Sequence, residues 1–336
     1  MGSEMCIRDR SIVETILRYR FSPTSELSRL VGGHPDVIHR RLRKLWEHGY
    51  INRFAFADPR RMSHSEFCYY LDDRKALELL AGNGLLAELH PTMEKELRQN
   101  REANYGQAWL DGSSGKALFL RHQLMISRLR FMLEMSCWQS KGEMEMPMFQ
   151  MGASLEGNKV EVPEVRSMRQ SGTNQYLWEE MSETRNLPVE PDALFTLRFP
   201  KRSAGNNELH FAYEADRGTM PPGDMLRKLR AYYFFIKKHK RHINAFGVHP
   251  IRAVLIECPT ETRALKLMEL AGHPLVSGPN KRAGLFWFTI SPLFTSPTKI
   301  GDQNLARYLV EPTSVLDREW AMSDLTKLCL TDFENN

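Results

Sequence analysis

Cysteine is scarce and scattered. Cys6, Cys68, Cys137, Cys258 and Cys329 stand far apart and no two form a CxxC pair, so neither a zinc site nor a disulfide framework is indicated. A reducing, cytoplasmic setting is expected. The chain also lacks any apolar run near the roughly 18 residues of a membrane span, and its first residues lack the apolar core of a signal peptide. No membrane partner is expected. Charge of one sign is not in large excess either: 46 Lys and Arg against 41 Asp and Glu leave a net +5, which suits a polyanionic partner without requiring one. What is present is ordinary globular composition, 42% hydrophobic and 26% charged over 336 residues, enough for two medium domains with real cores. Residues 1–10, MGSEMCIRDR, show no periodicity and carry no expectation.

Charge placement is more telling than its sum. Ile12, Ile16, Leu17 and Phe21 mark one side of a first helix, capped at Ser11. Pro23 followed by Thr24 or Ser25 as a cap opens a short second helix that stops at Gly32 and Gly33. A third helix starts near Pro35 and ends at Gly49, with Ile38, Leu42, Leu45 and Trp46 facing inward and His39, Arg40, Arg41, Arg43 and Lys44 facing out. Two short helices around a glycine turn spell helix-turn-helix. Tyr50, Ile51, Phe54 and Phe56, a polar turn, then Phe67, Tyr69 and Leu71 read as a β-hairpin, the wing. Arg53, Arg60, Arg61 and His64 add positive charge on or near it. Helix and wing would grip phosphates from two sides, with base edges read by the helix. The bland alternative is a solvated basic face; against it, seven Arg and Lys between Val37 and His64 meet only Glu47 and Asp58. A winged-helix protein-interaction module is the other reading of these residues.

A helix at 74–82 closes this first domain, taken as residues 11–90, and 91–116 reads as a linker. GSSGK at 112–116 lacks the glycine spacing and the Ser or Thr after Lys116 that a phosphate loop needs. Residues 117–336 form the second domain. Ala117 to Trp138 is a helix with Leu120, Leu124, Ile126, Leu129 and Leu133 inside and His122, Arg128, Arg130 and Glu134 as polar positions. Met144, Met146 and Met148 alternate with Glu143, Glu145 and Pro147, one buried face of an edge strand rather than a metal or haem site. Residues 151–190 show no usable period. PDALFTLRF (191–199), a GNN turn and ELHFAYEAD (208–216) make a hairpin that brings Asp192 near Glu214. A basic helix over Asp224–His239, a strand IRAVLIECP, a helix TETRALKLMELAG and a strand GLFWFTI follow. The expected class is mixed α/β, of α+β type, with a mixed sheet flanked by helices. Leu305, Tyr308, Leu309, Leu316, Trp320 and Leu325 are expected to pack the last segment on the second domain.

The order of elements, with PD opening one strand and an acid pair closing the next, resembles the restriction-endonuclease-like PD-(D/E)xK nuclease fold. That resemblance implies Asp192 and Glu214 as ligands of Mg2+ or Mn2+, Glu134 as an extra acid from the first helix, and a lysine that orients or activates water. Asp216 stands where that lysine is expected, so Lys228 in the following helix is the candidate replacement. With RRLRKLWEHGYINRF in front and PDALF, YEADRGT and KLRAYY behind, residues 11–290 also resemble the replication-relaxation proteins of plasmids and integrative elements. Membership implies a DNA transaction of a mobile element, with other proteins of that element as partners, and does not by itself imply cleavage. Two readings stay open: a metal-dependent endonuclease or nickase targeted by its winged helix, and a non-catalytic accessory or regulator with a degenerate nuclease-like domain. For Asp192 and Glu214 the structural alternative is a turn cap and an ion pair with Arg217 or Lys228. The run Lys237, Lys238, His239, Lys240, Arg241 and His242 serves either as phosphate contacts or as a solvated helix end. Double-stranded DNA is the expected partner, RNA stays open, and a palindromic target would call for a homodimer.

Overall fold

Apolar residues at helical spacing build the first helix, α1 (Ile7–Tyr19), which buries Ile12, Val13, Ile16 and Tyr19. In the computed structural model, residues 7–56, 66–72, 75, 97–100, 103, 105, 115–169, 176–278, 284–291 and 311–332 are described. The helix starts before Ser11, whose carbonyl accepts from the Thr15 hydroxyl at 2.7 Å, so Ser11 is an interior residue and not the expected cap. Phe21 leaves the helix and opens β1 (Phe21–Pro23). α2 (Thr24–Val31) follows with no side-chain cap of its own. Glu66 supplies one instead, its carboxylate accepting from Ser25 N at 2.7 Å and Ser25 Oγ at 3.1 Å. Gly32 and Gly33 turn the chain at φ 75° and 96°, where a side chain would be strained. His34 then caps α3 (Pro35–Glu47) by accepting from Asp36 N.

Ile38, Leu42 and Leu45 of α3 meet Ile12, Ile16, Leu27, Ile51 and Tyr69 in one apolar cluster. β2 (Asn52–Phe56) and β3 (Glu66–Tyr70) complete an antiparallel sheet of order β1-β3-β2. Pro23 sits on an edge strand, where its missing N–H costs no ladder bond.

Contacts divide the chain into two units, Met1–Met135 with Leu293–Gly301 and Ser136–Pro292 with Asp302–Asn336. The division falls inside α4 (Gly115–Gln139). The five expected interior residues of that helix are all buried. Arg128, read as a polar position, is buried too, because Glu26 meets its guanidinium at 2.8 Å, both side chains at most 7% exposed.

The second unit is built on a sheet of order β12-β11-β10-β9-β8-β7-β4. Its strands are β4 (Glu145–Met151), β7 (Ala193–Arg198), β8 (Glu208–Ala215), β9 (Ile251–Cys258), β10 (Phe286–Ile290), β11 (Trp320–Ala321) and β12 (Lys327–Leu328). β8, β9 and β10 run parallel and their outer neighbours antiparallel. β4 is the expected edge strand, with a register shift between Glu145 and Met148 around Pro147. Between β8 and β9 lie α5 (Pro222–Tyr233), a π-helical turn Phe234–Lys238 and α6 (His242–Phe246). The expected single helix to His239 is thus broken into two forms. α7 (Glu261–Ala271) and α8 (Pro274–Ser277) precede β10, and α9 (Ser314–Asp317) precedes β11.

Residues 151–190, without a period in sequence, contain a separate antiparallel pair, β5 (Lys159–Arg169) and β6 (Tyr176–Pro188). Val160, Val162 and Val165 of β5 are buried, with a register shift between Pro163 and Val165 that breaks the alternation. β6 is largely exposed. The pair is anchored to α5 through Arg230, which donates to Pro163 O at 3.0 Å and Glu180 Oε2 at 2.6 Å. Trp320 is fully buried as expected, whereas Leu325 is 69% exposed in the turn between β11 and β12, at φ 68°. Leu305, Tyr308 and Leu309, and the helix read at 74–82 apart from Lys75, lie outside the described residues. Among the described residues no helix is long and apolar enough to cross a membrane.

Candidate functional site

α3 presents its polar side because Ile38, Leu42 and Leu45 consume the opposite one. His39, Arg40, Arg43 and Lys44 are exposed and Arg41 is half-buried. Arg43 is matched by Glu47 one turn on, at 2.7 Å, and Arg41 by Asp9 of α1 at 3.3 Å. His39, Arg40 and Lys44 make no ion pair among the described residues. Arg60, Arg61 and His64 lie outside the described residues.

Trp46, expected in the core, is 38% exposed. It follows Leu45 by one residue, about 100° around the helix, which places it on the flank. There its ring lies 3.7 Å from the Arg53 guanidinium carbon, and the Phe67 ring lies 3.9 Å from that carbon. Arg53 of β2 is therefore flanked by two aromatic rings, an arrangement that helical and strand periodicity could not reveal.

The second cluster grows from the register of β7 and β8. Ala193 pairs with Tyr213, so Asp192 lies beside Glu214; Asp192 N donates to Tyr213 O at 3.0 Å, and Asp192 Oδ2 accepts from Ala215 N at 2.8 Å. Glu214 receives two donors from α5. Lys228 Nζ approaches Oε2 at 2.5 Å, and the Tyr232 hydroxyl donates to Oε1. These donors are four residues apart and so share a helix face. From sequence Tyr232 is placed with Lys228 in the basic helix but is given no role in the site, although its spacing from Lys228 was visible. The Glu214 side chain is 7% exposed. Burial pushes its carboxyl up to about 7; Lys228 opposes this and Asp192 adds to it. For Lys228, burial works against the charge, but Glu214 and Asp192 outweigh it and hold the ammonium above its ordinary range. Burial, reinforced by Glu214, drives the Tyr232 hydroxyl far up.

Asp192, Glu214 and Lys228 thus converge. Glu134 belongs to the first unit, where its carboxylate is held by Arg130 at 2.9 Å and Arg18 at 3.9 Å. Asp216, at the expected lysine position, takes Arg263 of α7 on both oxygens, at 2.8 and 3.2 Å. A further acid escaped the sequence reading, Glu257, 2% exposed, which accepts from the Tyr213 hydroxyl at 3.0 Å and meets Arg318 at 3.4 Å.

Magnesium can be held by one or two carboxylates completed by water and substrate oxygens. Here both oxygens of Glu214 already serve α5 donors, and an ammonium occupies the position beside it. Among the described residues no three metal-ligating side chains gather. As arranged, this set does not fit a bound divalent cation. A cleft of about 320 Å³ opens onto Lys228, lined also by Arg185, Arg227, Leu187 and Met220.

Of the basic run after α5, Lys237, Lys238, His239, Lys240 and Arg241 are exposed. His242 is buried, its Nε2 3.0 Å from His249 Nδ1, and burial lowers its pKa.

The family model described as replication-relaxation matches residues 14–250. No curated protein and no solved structure matches the chain.

Proposed function

The chain belongs to the replication-relaxation family, and from that footing we propose that it is a DNA-binding protein of a mobile genetic element whose first unit grips the duplex. One observation carries this reading: α3 exposes His39, Arg40 and Lys44 with no carboxylate partner among the described residues. Uncompensated cations on one helix face are what a phosphate backbone neutralises. The order of helices and strands from α1 to β3 supports a winged helix-turn-helix, in which α3 enters the major groove and the β2–β3 hairpin flanks it. Fluorescence anisotropy on short duplexes tests this. Arg40→Ala with Lys44→Ala should weaken binding at low salt and reduce the steepness of its salt dependence by about 1 to 2 in log–log slope. Unchanged affinity at every salt concentration defeats the assignment.

The second unit serves, on this reading, as a nuclease-like scaffold for protein or DNA contacts. Its Lys228 ammonium neutralises the buried Glu214 internally. A second reading, strand cleavage, is favoured by the convergence of Asp192, Glu214 and Lys228 beside an open cleft. It requires Lys228 to release Glu214 so that Mg2+ or Mn2+ has oxygen ligands. Supercoiled plasmid incubated with protein and either metal separates the two. Nicking that disappears in both Asp192→Ala and Glu214→Ala establishes the enzyme, and intact plasmid with retained binding establishes the accessory.

A further inference from the structure

Resting on the DNA-binding reading of the first unit, we infer that Trp46 and Phe67 are positioning residues that hold Arg53 as a preset bidentate contact to a backbone phosphate. The guanidinium carbon sits 3.7 Å from the Trp46 ring and 3.9 Å from the Phe67 ring, close enough for cation–π attraction to both. The two rings come from different elements, the end of α3 and the strand β3, and Arg53 from β2. Three elements therefore meet at one side chain.

Two features separate this from incidental surface packing. Trp46 and Phe67 are 38% and 40% exposed, so the stack is a surface feature on the flank of the helix that carries Arg40 and Lys44. Arg53 also makes no ion pair with a carboxylate among the described residues, unlike Arg41, Arg43, Arg128 and Arg130. Its charge is softened by π faces but left formally unneutralised. A guanidinium covered on its faces keeps its N–H donors around its rim: one faces the Tyr69 hydroxyl, its pair across β2 and β3, which fixes the group further, and the remaining edge offers the planar fork that matches two phosphate oxygens. The rings also remove side-chain freedom that a flexible arginine would lose on binding. The ligand chemistry is thus a phosphodiester of duplex DNA, met in a fixed direction at the base of the β2–β3 hairpin.

The decisive comparison separates charge from direction. Trp46→Leu and Phe67→Leu keep apolar bulk and every charge but remove the π faces; Arg53→Lys keeps the charge but loses the fork; Arg53→Ala loses both. Each is titrated against several short duplexes of unrelated sequence over a range of salt, beside Arg40→Ala with Lys44→Ala, after thermal melting has shown which variants fold as the wild type does. Trp46→Leu, Phe67→Leu and Arg53→Lys should each weaken binding by about 3- to 10-fold, equally on all sequences, with the salt slope unchanged. Arg53→Ala should in addition lower the slope by about 0.9, one phosphate's share. If the leucine and lysine variants bind as the wild type does while the Arg40 and Lys44 variant fails, the stack is ordinary packing and the inference falls with the interface intact. A loss that depends on duplex sequence overturns the phosphate assignment in favour of a base edge. If the Arg40 and Lys44 variant also binds normally, the DNA-binding reading of this face fails.

Discussion

Replacing Glu214 by glutamine removes one ionisation; the amide keeps an oxygen for the Tyr232 hydroxyl and turns its NH2 toward Lys228, a cost that is the same at pH 5 and pH 8 because the ammonium stays charged at both. The wild-type carboxyl is raised by burial from the ordinary 4.5 to about 7 in the folded chain. A raised acid pKa means the folded state holds the proton more tightly than the unfolded state does. Stability from this group is therefore full below pH 4.5, declines as pH rises, and is lost above about 7. The interval corresponds to about 3 kcal/mol at roughly 1.4 kcal/mol per tenfold in proton affinity. About 2 to 3 kcal/mol of it falls between pH 5 and pH 8. Urea unfolding of wild type and Glu214→Gln at those two pH values gives the quantity directly, because histidines common to both cancel in the difference. The variant should gain on the wild type by that amount as pH rises. Lys228→Met makes the reciprocal case: at pH 8 it strands a buried carboxylate, a loss of about 3 to 5 kcal/mol, whereas at pH 5 the neutral carboxyl tolerates it far better. Parallel pH profiles for wild type and Glu214→Gln, or a gap that grows in the wild type's favour, would refute the argument that burial governs this carboxyl.

Two further outcomes concern the first unit. Arg128→Met, which leaves Glu26 buried opposite an uncharged side chain, should cost about 3 to 5 kcal/mol; adding Glu26→Met should recover most of it, as denaturant midpoints will show. Glu66→Ala uncaps α2 at Ser25 and should cost about 1 kcal/mol, measurable as a lower melting temperature with no change in far-UV spectrum.

Much of this molecule is legible in the chain because local periods survive folding. The helices α1 to α4, the edge strand with Met146 and Met148, and the β7–β8 hairpin all follow from spacing and turn residues. So does the approach of Asp192 to Glu214, since hairpin register alone brings them together. Where reading failed, a partner distant in sequence was the cause. Thr24 or Ser25 is the cap that the local sequence offers, but Glu66, 41 residues away, caps α2 instead. Arg128 looked like a solvated position until Glu26, 102 residues away, supplied its counter-charge. Residues 151–190 hid a strand pair because β6 is exposed on much of its length and the register shift in β5 breaks the alternation that marks a half-buried strand.

The family, the mixed α and β class and the basic face of α3 were determined by residue order alone, since each rests on side chains close together along the chain. Only the tertiary structure decided the state of the two candidate sites. Whether Arg53 is a loose cation or a stacked one depends on Trp46 and Phe67 arriving from separate elements. Whether Glu214 is an open ligand or a buried, internally neutralised carboxyl depends on α5 delivering Lys228 and Tyr232 to its two oxygens. Burial and counter-charge are properties of the packed neighbourhood, and a one-dimensional pattern carries neither.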